Sequence, residues 1–97
     1  MSKRYVLFYA SSDLSDDEIK RFSEIIKGRF QTAKVIPVKK NPRAVVIRTT
    51  NQIAPILRDM KPRIEVDGVE FISALTSGAI GNLKKRASEA AANGKVP

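Results

Sequence analysis

The sequence predicts an α+β fold built on an antiparallel sheet. Short β-branched and aromatic runs alternate with two stretches of helical apolar spacing, and an Asp-Gly dipeptide separates two of the apolar runs. Size agrees: 97 residues, 42% hydrophobic and 29% charged, make one ordinary domain. Residues 1–97 are therefore read as a single domain, with a flexible tail over 93–97.

Tyr5 to Ala10, Tyr-Val-Leu-Phe-Tyr-Ala, is the first strand, and its unbroken apolarity suits a central strand covered on both faces. Ser15-Asp16-Asp17-Glu18 has the S-x-x-E form of a capping box, and its carboxylates suit the positive end of a helix dipole. That structural role accounts for the acidic cluster without catalysis. Ile19, Phe22, Ile26 and Phe30 share one stripe, so the helix ends near Phe30. Ala33–Val38 and Ala44–Thr50 read as strands of an antiparallel hairpin, joined by the basic turn Lys39-Lys40-Asn41-Pro42-Arg43.

Asn51 to Met60 carries Ile53, Ile56, Leu57 and Met60 at helical spacing, with Pro55 delaying its first turn and Pro62 following its stop. Arg63–Val66 and Val69–Leu75 flank Asp67-Gly68, a strong hairpin signal. Ser77 reads as the N-cap of a last helix carrying Ile80, Leu83, Ala87, Ala90 and Ala91, with Asn93-Gly94 as its stop. The order β-α-β-β-α-β-β-α contains βαββαβ, the split βαβ of ferredoxin-like folds that RNA-recognition domains share. It places the two main helices on one face, with the extra hairpin strand and the last helix decorating the end.

Composition removes several chemistries. Without Cys there is no disulfide, thiolate zinc site, iron–sulfur cluster or thiol catalysis. Without His there is no imidazole base or His metal ligand. No catalytic residue, metal or cofactor is expected. No apolar run approaches a membrane span, and the start Met1-Ser2-Lys3-Arg4-Tyr5 lacks the pattern of a secretory signal, so a cytoplasmic protein with no membrane partner is expected.

The unusual quantity is charge. Eighteen Lys and Arg oppose ten Asp and Glu, a formal net charge of +8, which points to a polyanionic partner, first of all RNA. The charges are segregated. From Lys27 to Arg48 there are seven basic residues and no acid; Lys84-Lys85-Arg86 and Lys3-Arg4 are further basic groups. A binding face produces this, whereas a merely soluble surface mixes the signs.

Three local patterns bear on the site. Ser77-Gly78 at the start of a helix, followed by Lys84, Lys85 and Arg86, suits an RNA phosphate, because a glycine admits close approach and free amides attract anions. The alternative is an ordinary cap with solvated lysines. The Gly78-Ala79-Ile80-Gly81 stretch matches the GxxG of KH domains only weakly, since it follows a strand and its cations lie downstream. Lys39, Lys40 and Arg43 in the turn, with Lys34 and Arg48 in the strands, form a second candidate phosphate surface. The strand Ala44–Thr50 has no aromatic, so RNA-recognition-type base stacking on the sheet is disfavoured, and Tyr5, Phe8 and Tyr9 are expected in the core or an interface.

These motifs resemble a known family. Lys3-Arg4-Tyr5-Val6-Leu7-Phe8 is similar to the R-Y-[IV]-x-F opening of archaeal ribonuclease P protein component two. Val45-Val46-Ile47-Arg48 is similar to that family's I-I-R strand, and Val69 through Lys85 to its closing strand and S-G-T-I-x-K segment, with Ala79 where Thr is usual. The pieces fall in order over roughly residues 3 to 86. The resemblance implies a non-catalytic, RNA-binding subunit of the ribonucleoprotein that removes the 5′ leader of precursor tRNA, with the RNA carrying the chemistry. It implies ribonuclease P RNA and another ribonuclease P protein as partners. By position, Ser77, Gly78, Lys84 and Lys85 are its RNA-phosphate candidates, Arg48 is a strand contact, and Ala87, Ala90 and Ala91 form a face for the protein partner.

Two other readings compete. One is a generic basic RNA-binding or protein-interaction module of the same fold. The other is a small acylphosphatase-like enzyme, disfavoured because the loop after the first strand, Ser11-Ser12-Asp13-Leu14-Ser15, has no Gly and places an acid where an anion would bind.

Overall fold

The computed structural model describes residues 3–60 and 63–92. The elements are β1 (Lys3–Ala10), α1 (Asp16–Arg29), β2 (Lys34–Pro37), β3 (Ala44–Thr50), α2 (Ala54–Arg58), β4 (Ile64–Val66), β5 (Val69–Ser77) and α3 (Ile80–Ala92). The expected stop at Asn93-Gly94, the tail over 93–97 and Pro62 lie outside the described residues. The fold is α+β. One five-stranded sheet runs in the order β2-β3-β1-β5-β4, and every neighbouring pair is antiparallel.

β1 lies at the centre, as its apolar run predicts, and Val6 to Ala10 are all buried. Its two faces feed two separate cores. Val6, Phe8 and Ala10 join Val45 and Ile47 of β3 beneath α1 and α2, which contribute Phe22, Ile26, Ala54 and Leu57. There Phe22 stacks on Phe71 with ring centroids 4.0 Å apart and meets Phe8 edge-on at 6.1 Å. Leu7 and Tyr9 join Ala44 and Val46 on the opposite face, beneath Leu83 and Ala87 of α3.

The place of α3 corrects the expectation that it decorates an end. Strands apolar on both faces need cover on both, and α1 with α2 supplies only one. Burying Leu83 on the second face contributes on the order of 2 kcal/mol. Ala87 is fully buried in the same cluster, where its small side chain lets the helix sit close to the sheet. Ala87 is therefore an internal packing residue and not a partner contact.

Local chemistry explains the boundaries. The Ser15 hydroxyl accepts from the Glu18 N–H at 3.2 Å, and the Glu18 carboxylate accepts from the Ser15 N–H at 2.9 Å, completing the capping box. α2 spans only five residues, shorter than its apolar stripe predicts. Pro55 occupies its first turn, and Ile53 at the N-cap provides no side-chain bond, so the helix starts late and lacks a cap. Asp67 (φ 51°) and Gly68 (φ 84°) both take left-handed backbone in the β4–β5 turn, where Asp67 also pairs with Arg21 of α1. β5 runs on to Ser77, and its register against β1 shifts between Leu7 and Phe8.

Candidate nucleic-acid interface

α3 brings the two main basic groups together. It crosses the sheet so that Lys84 and Lys85 face the turn between β2 and β3. Lys39 and Lys40 of that turn and Lys84 and Lys85 of the helix line one open groove of about 680 Å³. Its floor is apolar, made by Ile36 and Val38, whose side chains face α3, whereas Pro37 between them pairs with Val45 and faces the α1 side. Ser88 and Glu89 complete the wall, and the Ser88 hydroxyl donates to the Lys84 carbonyl at 2.8 Å.

One buried polar side chain fixes the two halves of the groove to each other. Asn41, 1% exposed, donates from Nδ2 to the Ala87 carbonyl of α3 at 2.9 Å. Its Oδ1 accepts from the Arg43 N–H at 3.0 Å. Both ends of the amide are satisfied, which is the condition under which a buried amide specifies geometry instead of costing stability.

The remaining predicted residues divide. Ser77, Lys85 and Arg86 line a second cleft of about 540 Å³ on α3, with Leu75 and Asn82, so Lys85 borders both. Arg48 stands in a row across the same sheet face. It pairs in register with Lys34 on one side and Tyr5 on the other, and Tyr5 pairs with Ser77. Arg43 is set apart, because its guanidinium is engaged by Asp13 at 3.1 Å. Ala90 packs against the α3-side core, and Ala91 is half-buried.

The start of α3 differs from the expectation. Ser77 is the last residue of β5, not an N-cap, and its hydroxyl accepts from the Ala79 N–H at 3.1 Å. It shapes the turn that enters the helix and engages one of the amides expected to be free. Gly78 is approached by a protein group: a Cβ there would lie 2.9 Å from Nη1 of Arg4. Arg4 is anchored through Nε to Asn51 Oδ1 at 2.6 Å. A guanidinium therefore stands beside the turn.

Burial raises the Tyr9 phenol above its ordinary pKa, and the nearby Arg86 charge draws it partly back. The loop after β1 is committed to structure. Ser11 Oγ accepts from the Glu70 N–H at 3.0 Å, Asp13 holds Arg43, and Ser15 caps α1. Among the described residues no cluster of three or more Asp and Glu is placed to hold a metal ion, and no helix is long and apolar enough to cross a membrane.

Sequence reasoning found the four lysines but not the groove floor. Ile36 and Val38 read as ordinary strand residues, and nothing local marks them as facing a helix far along the chain. No protein-family model matches the chain, and no curated protein sequence matches it.

Proposed function

We propose that this chain is an RNA-binding, non-catalytic protein subunit of ribonuclease P. It supports RNA-catalysed removal of the 5′ leader from precursor tRNA alongside a second protein of the particle. The observation that carries the RNA-binding reading is the convergence of Lys39, Lys40, Lys84 and Lys85 on one groove. The sequence resemblance supplies the particle. The strand order β2-β3-β1-β5 supports a ferredoxin-like frame, with β4 as an addition at the outer edge.

Four phosphate contacts release counterions, so log affinity for a single strand falls with log salt at a slope of about −3. Replacing Lys84 and Lys85 by Gln brings the slope to about −1.5 and leaves the far-UV circular dichroism unchanged. A flat salt dependence for the unmodified protein is incompatible with the RNA reading. Reconstitution with ribonuclease P RNA and its other proteins tests the particle: omitting this chain lowers precursor-tRNA cleavage. Undiminished cleavage removes the assignment.

A further inference from the structure

We infer that the groove between β2 and α3 accepts an unpaired RNA segment, with a base on its apolar floor and phosphates on its lysine rim. This inference rests on the RNA reading above and goes beyond it, because it states which form of RNA the site takes. The groove has two chemically distinct parts. Its rim carries four ammonium groups, which recognise a chain of phosphates but do not distinguish a single strand from a duplex. Its floor, Ile36 and Val38, recognises no phosphate. A floor of this kind is filled only by an apolar or planar group.

Duplex RNA does not supply that group. An A-form helix keeps its bases stacked inside and offers phosphates and 2′-hydroxyls across a shallow minor groove. Docked on the lysines, it leaves the floor unfilled. An unpaired nucleotide presents both parts at once. The groove is open along its length and about 680 Å³ in volume, so a base reaches the floor while its phosphates stay at the rim. Ile36 and Val38 face α3, half-buried Ile36 being the accessible part of an aliphatic surface on an edge strand, with no aromatic in the lining. Contact of that kind tolerates any base, so the site selects strandedness and not sequence. Glu89 is the single acid in the lining and opposes the phosphates, a cost that Glu89→Gln removes.

The test compares a short oligouridylate with a blunt RNA duplex of the same length, by fluorescence anisotropy on the whole chain at one salt concentration. The single strand is expected to bind about tenfold tighter than the duplex. Ile36→Thr, which keeps a β-branched residue in the strand, is expected to weaken the single strand roughly three- to tenfold and to leave the duplex unaffected, so duplex binding reports the fold of the variant. Lys39→Gln with Lys40→Gln weakens both, and Glu89→Gln tightens both. Equal binding of the two RNAs, or Ile36→Thr indifferent toward the single strand, overturns the inference and leaves the RNA reading standing. Absence of binding to either RNA at low salt overturns both. An acidic peptide with leucine side chains that binds more tightly than oligouridylate, and is weakened by Ile36→Thr, assigns the groove to a peptide and also overturns the inference.

Discussion

Asn41→Ala tests whether the groove is a built object. The substitution removes two hydrogen bonds, to the Ala87 carbonyl at 2.9 Å and from the Arg43 N–H at 3.0 Å, at a site 1% exposed. Each bond contributes about 1 kcal/mol net, and the stranded polar groups and small void add to the loss. The expected cost is about 2–3 kcal/mol, a large fraction of the ~5–15 kcal/mol that holds a domain together. For a domain of this size that lowers Tm by roughly 10–20 °C. Urea unfolding followed by far-UV circular dichroism measures it. Asn41→Asp keeps the acceptor for Arg43 but turns a carboxylate oxygen toward the Ala87 carbonyl, so at neutral pH it costs at least as much as Ala. A loss below about 0.5 kcal/mol for Asn41→Ala, the scale of an ordinary surface change, refutes the account of Asn41 as the tie between the turn and α3.

Three further outcomes follow from the fold. Gly68→Ala places a Cβ on backbone at φ 84° and is expected to destabilise the domain by about 1 kcal/mol or more, read from the shift in the urea midpoint. Thr49→Val removes Oγ1, a buried side-chain oxygen without a hydrogen-bond partner, and is expected to raise stability by about 1 kcal/mol in the same assay. Tyr9 titrates higher folded than unfolded, so its contribution is fully present below pH 10 and declines as pH rises from there through the folded pKa. The stability difference between the unmodified protein and Tyr9→Phe is therefore constant up to about pH 10 and shifts in favour of Phe above it.

Local chemistry was readable from the sequence to within a few residues. The capping box at Ser15, the Asp67-Gly68 turn and the span of β3 depend on neighbours in the chain and appear where expected. What was not readable depends on distant contacts. The apolar run of β1 says that both faces are covered but not by which helix. That Leu83 and Ala87 cover the second face is a tertiary fact. The site divides the same way. Lys39, Lys40, Lys84 and Lys85 stand out by charge, but their meeting depends on the amide of Asn41, which looks like an ordinary turn residue. Arg43 belongs to the same basic run, yet Asp13, an acid in a distant loop, engages it.

The central place of β1 has a consequence for folding on the ribosome. β1, made before both of its partners, is paired on one side by β3 and on the other by β5, and α3 covers one of its faces. While the chain is being synthesised, one edge of β1, together with Leu7 and Tyr9, waits unpaired until nearly the whole domain has emerged. Contacts of such long sequence separation slow folding and leave a sticky strand edge exposed meanwhile. The acidic first turn of α1 and the lysines of the β2–β3 turn emerge before that edge is closed, and charge beside an open strand edge opposes its pairing with other chains.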